Sequence, residues 1–248
     1  MKRILTVLAG MLLMTTLAAM AQIQTESATA AEILDQVNTA WQGESFHGII
    51  ALELVLGGQT KSHKLELWTL GEELAMVRVL EPEIDRNTGY LQLGDELWYY
   101  APGIGAIELP AIAMGDALFG SGPSLEDVSR GTLANDYEVT AELTETGHFL
   151  TLVPHEDAPV VFGKLELTVT FDYVIELMVY YDQRGNVSQT ATFSDITEIA
   201  GRRLATTIVI EDSFGDKTVE RIEFAQFDLQ LDPQFFTLDT FDTWGDEQ

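Results

Sequence analysis

The 248-residue chain contains no cysteine. That excludes disulfide bonds, thiolate zinc sites, a cysteine nucleophile and a lipid-attachment cysteine near the start. Cations are scarce, with 13 Lys and Arg against 40 Asp and Glu, for a formal net charge of −27. A surface so acidic repels phosphate backbones and anionic headgroups, so no nucleic-acid partner is expected. The seven prolines form no linker, and no Pro- or Ser-rich boundary divides the chain. His47, His63, His148 and His155 sit at no metal-ligand spacing. No Gly-x-Ser-x-Gly elbow, phosphate loop or His-Glu-x-x-His helix occurs, and the expectation is a non-enzymatic protein without metal or cofactor.

Long apolar runs are lacking beyond the first residues. The start has Lys2-Arg3, an apolar stretch over 4–20 and Ala19-Met20-Ala21, the three parts of a secretory signal peptide with cleavage after Ala21. Residues 1–21 are therefore read as a signal peptide, 22–29 as a flexible leader, and 30–248 as a single exported, periplasmic domain.

What fills that domain is alternation. Thr29 to Glu32 makes a capping box, and Ile33, Val37, Ala40 and Trp41 follow at helical spacing before Gly43, which predicts an amphipathic helix of about three turns. In 46–56, the even positions Ile50, Leu52, Leu54 and Leu56 are all apolar, while the odd set includes His47 and Glu53. In 61–69, Leu65 and Leu67 oppose Lys64 and Glu66; in 74–80, Ala75, Val77 and Val79 oppose Met76 and Arg78. Further strands are expected at 136–143, 148–153, 160–171, 174–181, 187–195, 202–212 and 217–231, with Leu165, Leu167, Ile175 and Leu177 on the apolar side. The hairpin 91–103 carries bulky groups on both faces, Leu97 and Tyr99 against Trp98 and Tyr100, so its second strand is expected inside a sheet. Residues 111–125 break the period with an apolar, glycine-rich stretch, which reads as a packed connector or a movable cover. The fold class is mainly β, about eleven antiparallel strands with an N-terminal helix and a short helical insertion. An outer-membrane barrel is disfavoured, because most strands pair one apolar face with Glu, Lys, Gln or Thr, and the chain ends on polar residues.

Gly94-Asp95-Glu96-Leu97-Trp98-Tyr99-Tyr100-Ala101-Pro102 resembles the Gly-x-x-Leu-Trp-x-Tyr-x-Pro hairpin of bacterial LolA-like outer membrane lipoprotein-sorting proteins. Leu65-Glu66-Leu67-Trp68, Gly89-Tyr90-Leu91 and Thr192-Phe193-Ser194-Asp195 are similar to that family as well. The resemblance implies an antiparallel sheet curled into an incomplete barrel, with helices over its concave side and an apolar cavity that takes acyl chains of a lipid or lipoprotein. That cavity is expected to be lined by Ile50, Leu52, Leu54, Leu65, Leu67, Val77, Val79, Leu165, Leu167, Ile175 and Leu177. Ile33, Val37, Ile112, Leu118 and Phe119 are expected to cover it. The cover departs from the family, since 111–125 holds Gly-Ser-Gly-Pro where relatives carry Met and Trp, and 67–71 has no counterpart of the arginine that holds the family's lid. The expected role is a monomeric periplasmic carrier toward the outer membrane, with an inner-membrane transporter as a further partner. The alternative is a non-transport accessory or interaction protein of an inner-membrane exporter.

Overall fold

The structure, a computed structural model, describes residues 28–110, 113, 133–156, 158 and 160–244. The chain enters through α1 (Ala30–Gln42), capped as its sequence demands: Thr29 Oγ1 accepts from Glu32 N at 3.2 Å and Glu32 Oε2 accepts from Thr29 N at 2.7 Å. The bond from Thr29 N, then one that Thr29 Oγ1 donates to Glu32 Oε2 at 3.0 Å, hold the Glu32 carboxyl below its usual pKa. Gly43, at φ 65°, ends the helix and lets the chain turn into the sheet.

Thirteen strands follow among the described residues: β1 (Ser45–Leu56), β2 (Gln59–Leu70), β3 (Leu74–Glu81), β4 (Gly89–Leu93), β5 (Glu96–Ala101), β6 (Gly105–Leu109), β7 (Tyr137–Leu143), β8 (Gly147–Pro154), β9 (Lys164–Thr170), β10 (Ile175–Tyr181), β11 (Val187–Ile199), β12 (Arg202–Asp212) and β13 (Lys217–Phe227). They form one antiparallel sheet in the order β6-β5-β4-β3-β2-β1-β13-β12-β11-β10-β9-β8-β7. Two meanders are thus joined along one seam, where β1 pairs with β13 from Phe46 opposite Phe227 to Val55 opposite Lys217. The edges, β6 and β7, do not pair with each other, so the barrel is open. β5 lies inside the sheet, as its two-sided bulk requires. Thirteen strands exceed the expected eleven, and Gly105–Leu109 is a full strand pairing with β5 rather than a short extension.

Both faces carry apolar cores, each built by the period-two alternation. Across the inner face α1 sets Ile33, Leu34 and Val37 against Leu150, Leu152, Leu165, Leu167, Val169 and Met178. Each such buried aliphatic side chain contributes about 1.5–3 kcal/mol. The same face of β1–β5 carries Leu52, Leu65, Leu67, Ala75, Val77, Val79 and Leu97. On the outer face a short C-terminal helix, α2 (Leu238–Trp244), and the turn before it pack Phe236, Phe241 and Trp244 on Met76 and Leu91. The aromatic tail therefore docks outside the half-barrel, opposite α1. Gly89 makes this approach feasible: a Cβ there would lie 2.3 Å from Val77 O and 2.8 Å from the Phe241 ring. No helix among the described residues is long and apolar enough to cross a membrane.

One side chain is misplaced by simple alternation. A register shift between Ile175 and Leu177 puts Leu177 beside Thr168 and Thr192, while Met178, opposite Leu167 and Ala191, turns inward. Leu177 is thus on the outer face, because one extra residue in a strand reverses every side chain beyond it. Phe171, expected as a strand residue, stands exposed in the turn after β9.

Candidate functional site

The inner face divides into two parts. Ile50, Leu52, Leu65, Leu67, Val77 and Val79 come together in one cluster with Leu97, Phe46 and Tyr90, and Leu54 continues the same face of β1, fully buried. Leu165, Leu167 and Ile175 belong to the second cluster, under Ile33 and Val37. Ile112, Leu118 and Phe119, the other expected cover residues, lie outside the described residues, as do the leader up to 27 and most of the insertion. Ala113 packs against the first cluster, so the chain leaving β6 turns onto this face.

In the second cluster α1 fills the concavity. The crevice left between Val37, Ala40, Ile175, Phe193 and Leu204 holds about 10 Å³, room for roughly one water molecule and none for an acyl chain. The first cluster, with Leu52, Leu65, Leu67, Val77 and Val79 buried, is the other candidate. Its rows run in register across four strands, Leu67 opposite Val77 opposite Tyr90 opposite Tyr99, and Leu65 opposite Val79. α1 lies over β7 and β12 instead.

Few polar groups interrupt this part of the face. Gln92 is buried beside Ala75 and donates through Nε2 to the Glu72 and Gly94 carbonyls at 3.4 and 3.3 Å. Burial pushes the Tyr90 hydroxyl above its usual pKa, with Tyr99 adding to the effect. His63, opposite Leu52, is lowered by burial, although Asp85, 3.8 Å away, pulls it back up. Such a surface offers apolar contact and little charge. Among the described residues no three His, Asp or Glu side chains gather to hold a metal ion.

The outer face supplies the rigid backing. His47 stacks on Trp68 and its Nε2 hydrogen-bonds to Glu66 Oε1 at 3.0 Å. Glu66 in turn lies 3.9 Å from Arg78, whose Nε donates to Asn87 Oδ1 at 3.0 Å. Asn87 Nδ2 then donates to the Trp244 carbonyl at the end of α2, and the Arg78 guanidinium sits 5.0 Å above the Trp244 ring. Strands β1–β3, the connection that leads into β4 and the C-terminal helix are tied by this one chain of contacts.

Sequence spacing missed the residue that fastens α1. Arg202, on β12, donates through Nη1 to the Thr39 carbonyl near the end of α1 and pairs through Nη2 with Asp228 Oδ2. Asp228 Oδ1 accepts from Glu44 N at 3.0 Å, so one carboxylate and one guanidinium clamp the helix exit to the sheet. The Glu44 amide, then Arg202, hold the Asp228 carboxyl below its ordinary value. A carboxyl lowered in the folded state contributes stability above the ordinary value of 3.8, lost as pH falls through the lower folded pKa. Protection factors of the α1 amides, corrected for the intrinsic pH dependence of exchange, should accordingly be unchanged from neutral pH to about pH 4 and fall below it. Arg202→Met should lower them at every pH, at a cost of about 1–2 kcal/mol for the charged hydrogen bonds removed.

An open antiparallel half-barrel with an apolar inner face and a helix laid across it defines a class of protein. A family model described as Uncharacterized protein matches residues 71–243, and the chain belongs to that family. Three solved structures share the fold. A LolA superfamily protein from Nitrosomonas europaea has a TM-score of 0.71 at 21% identity, over 86% of this chain and 100% of its own. A putative outer membrane lipoprotein-sorting protein domain from Vibrio parahaemolyticus has 0.72 at 16%, over 86% and 97%. A DUF1329 family protein from Desulfovibrio piger has 0.73 at 15%, again over 86% and 97%. The fold is LolA-like, as the 94–102 hairpin implies. No curated protein matches significantly.

Proposed function

We propose that this protein is a periplasmic carrier that takes acyl chains of a lipid or lipid-modified protein against the inner face of β1–β5 and moves them toward the outer membrane. The observation that carries the reading is that face itself. It spreads over Leu52 on β1, Leu65 and Leu67 on β2, Val77 and Val79 on β3 and Leu97 on β5, with His63 opposite Leu52 and Gln92 opposite Leu97, while α1 occupies the other half. Burying a dozen methylenes at about 0.8 kcal/mol each is worth on the order of 10 kcal/mol against water. Ordering and association take back several. Transfer from a bilayer, which is equally apolar, is close to neutral, so a small bias from a partner loads or unloads the chain without covalent chemistry. The first residues support export, with cleavage after Ala21.

The test is native mass measurement on protein taken gently from the periplasm, before and after organic extraction. The expected species begins at Gln22 and carries an excess mass that extraction removes. If the protein carries no lipid and binds no fluorescent fatty acid, the carrier reading falls. The half-barrel is then an interaction module, such as an exporter accessory subunit, and its inner face is packed core.

A further inference from the structure

The two rims of the half-barrel differ in character. Because the strands alternate in direction, the turns β1/β2, β3/β4, β5/β6, β8/β9, β10/β11 and β12/β13 all fall at one end, the upper rim. Four of those six connections put a bulky aliphatic or aromatic side chain into solvent, Ile84 (89% exposed), Ile104 (72%), Val161 (78%) and Phe214 (91%), and Val187 (47%), the first residue of β11, stands beside a fifth. At the lower rim the turns 71–73, 94–95 and 144–146 present Glu72, Glu73, Asp95 and Glu145. Leu143 and Phe171 are its exposed apolar groups.

Cations stand beside both rims: Lys61, Arg86, Lys164, Arg184 and Lys217 lie in or beside upper-rim connections, while at the lower rim Arg202 and Arg203 follow the 200–201 turn and are held by Asp228 and Asp172. Upper-rim carboxylates are folded back to build the turns. Asp212 Oδ1 accepts from Phe214 N and Asp216 N, Asp182 Oδ1 from Arg184 N and Asn186 N, and Asp216 Oδ1 from Gly57 N, at 2.8–2.9 Å. Glu83 pairs with Arg86. Neighbouring turns are bonded together: Ser213 N donates to Ser188 O, and Gln183 Nε2 to Val161 O. The tips are thus held at fixed positions along an arc.

We propose that the upper rim is a membrane-docking edge, whose apolar tips enter the interfacial layer of a phospholipid bilayer while the adjacent cations sit at phosphate level. A protein interface is built round a contiguous, fully buried core. Here single bulky groups stand on separate hairpins between polar backbones, which suits shallow insertion, with Lys and Arg stems reaching back to the headgroups. Orientation is set by the apolar tips, Ile84, Ile104, Val161, Val187 and Phe214 at the upper rim against Leu143 and Phe171 at the lower. The inference rests on the carrier reading for its purpose, since a carrier must meet a bilayer to load or deliver.

Flotation of the full mature protein with zwitterionic phosphatidylcholine–phosphatidylethanolamine vesicles tests it. Wild type should float with the lipid. The triple variant Ile84→Ser, Val161→Ser, Phe214→Ser should need at least tenfold more lipid for half-maximal flotation, and Leu143→Ser on the lower rim should match wild type. The substituted tips are exposed, so melting temperature and fatty-acid binding in vesicle-free solution should stay at wild-type values. Wild type remaining in the soluble fraction, or the triple variant floating equally well, would overturn the proposal. Vesicle binding by a protein that takes no fatty acid would sink the carrier reading and leave the docking edge standing.

Discussion

Phe241→Ala should lower the unfolding free energy by about 3–5 kcal/mol, the range for emptying a buried aromatic site. For a domain of this size that is a fall in melting temperature of roughly 10 °C, measurable by scanning calorimetry. The side chain is fully buried, with its ring stacked on Tyr100 at 4.8 Å and 4° and meeting Trp244 edge-on at 4.6 Å. Removing it leaves a void that the sheet below cannot close, because Met76 and Leu91 project from hydrogen-bonded strands. Gly89→Val should do similar damage from the other side, pressing a branched side chain into the Val77 carbonyl and the Phe241 ring. A loss under 1 kcal/mol for both would mean that α2 is not part of the cooperative unit.

Leu67→Asp should abolish fatty-acid binding, because an unpaired carboxylate in the middle of the inner face is desolvated by any acyl chain laid over it. Leu67 lies opposite Val77 and Gly48, in the centre of the β1–β3 patch. The charge also threatens the fold, so Val77→Thr is the companion, keeping the branched shape and adding one hydroxyl. Its desolvation, about 1–3 kcal/mol, should weaken binding by roughly tenfold. Glu53→Gln, on the opposite face of β1, should leave binding unchanged. Titration with a fluorescent fatty acid reads all three, and circular dichroism confirms that each is folded. Equal affinity in wild type and Val77→Thr would remove this face from the binding site.

Local chemistry made much of this legible. The capping box at Thr29 and Glu32, the alternation in β1–β3 and β9, and the two-faced bulk of Leu97 to Tyr100 each follow from neighbours within a few positions. What failed did so for lack of local signal. The shift after Ile175 leaves no mark in a run of apolar residues, so Leu177 and Met178 exchange faces unseen. Phe235, Phe236 and Phe241 announce that the tail docks, and not on which face. The contacts of Arg202 span 163 residues to Thr39 and 26 to Asp228, and no spacing rule reaches that far. The residues expected to line one cavity fall into two clusters, because the helix carrying Ile33 and Val37 covers one half of the face, and only the sheet order reveals which strands it overlies.

The pairing of β1 with β13 governs the order in which the molecule can be completed. In a chain made from its N-terminus, β1 has only β2 for a neighbour until the last strand appears, and its other edge stays unpaired throughout synthesis. Contacts this distant in sequence are slow to form, and an open strand edge invites pairing with other chains. Asp228, just past β13, arrives equally late to clamp the exit of α1. Maturation of the half-barrel is therefore a terminal event, and until it occurs the first meander depends on chaperoning or on speed of release to escape aggregation.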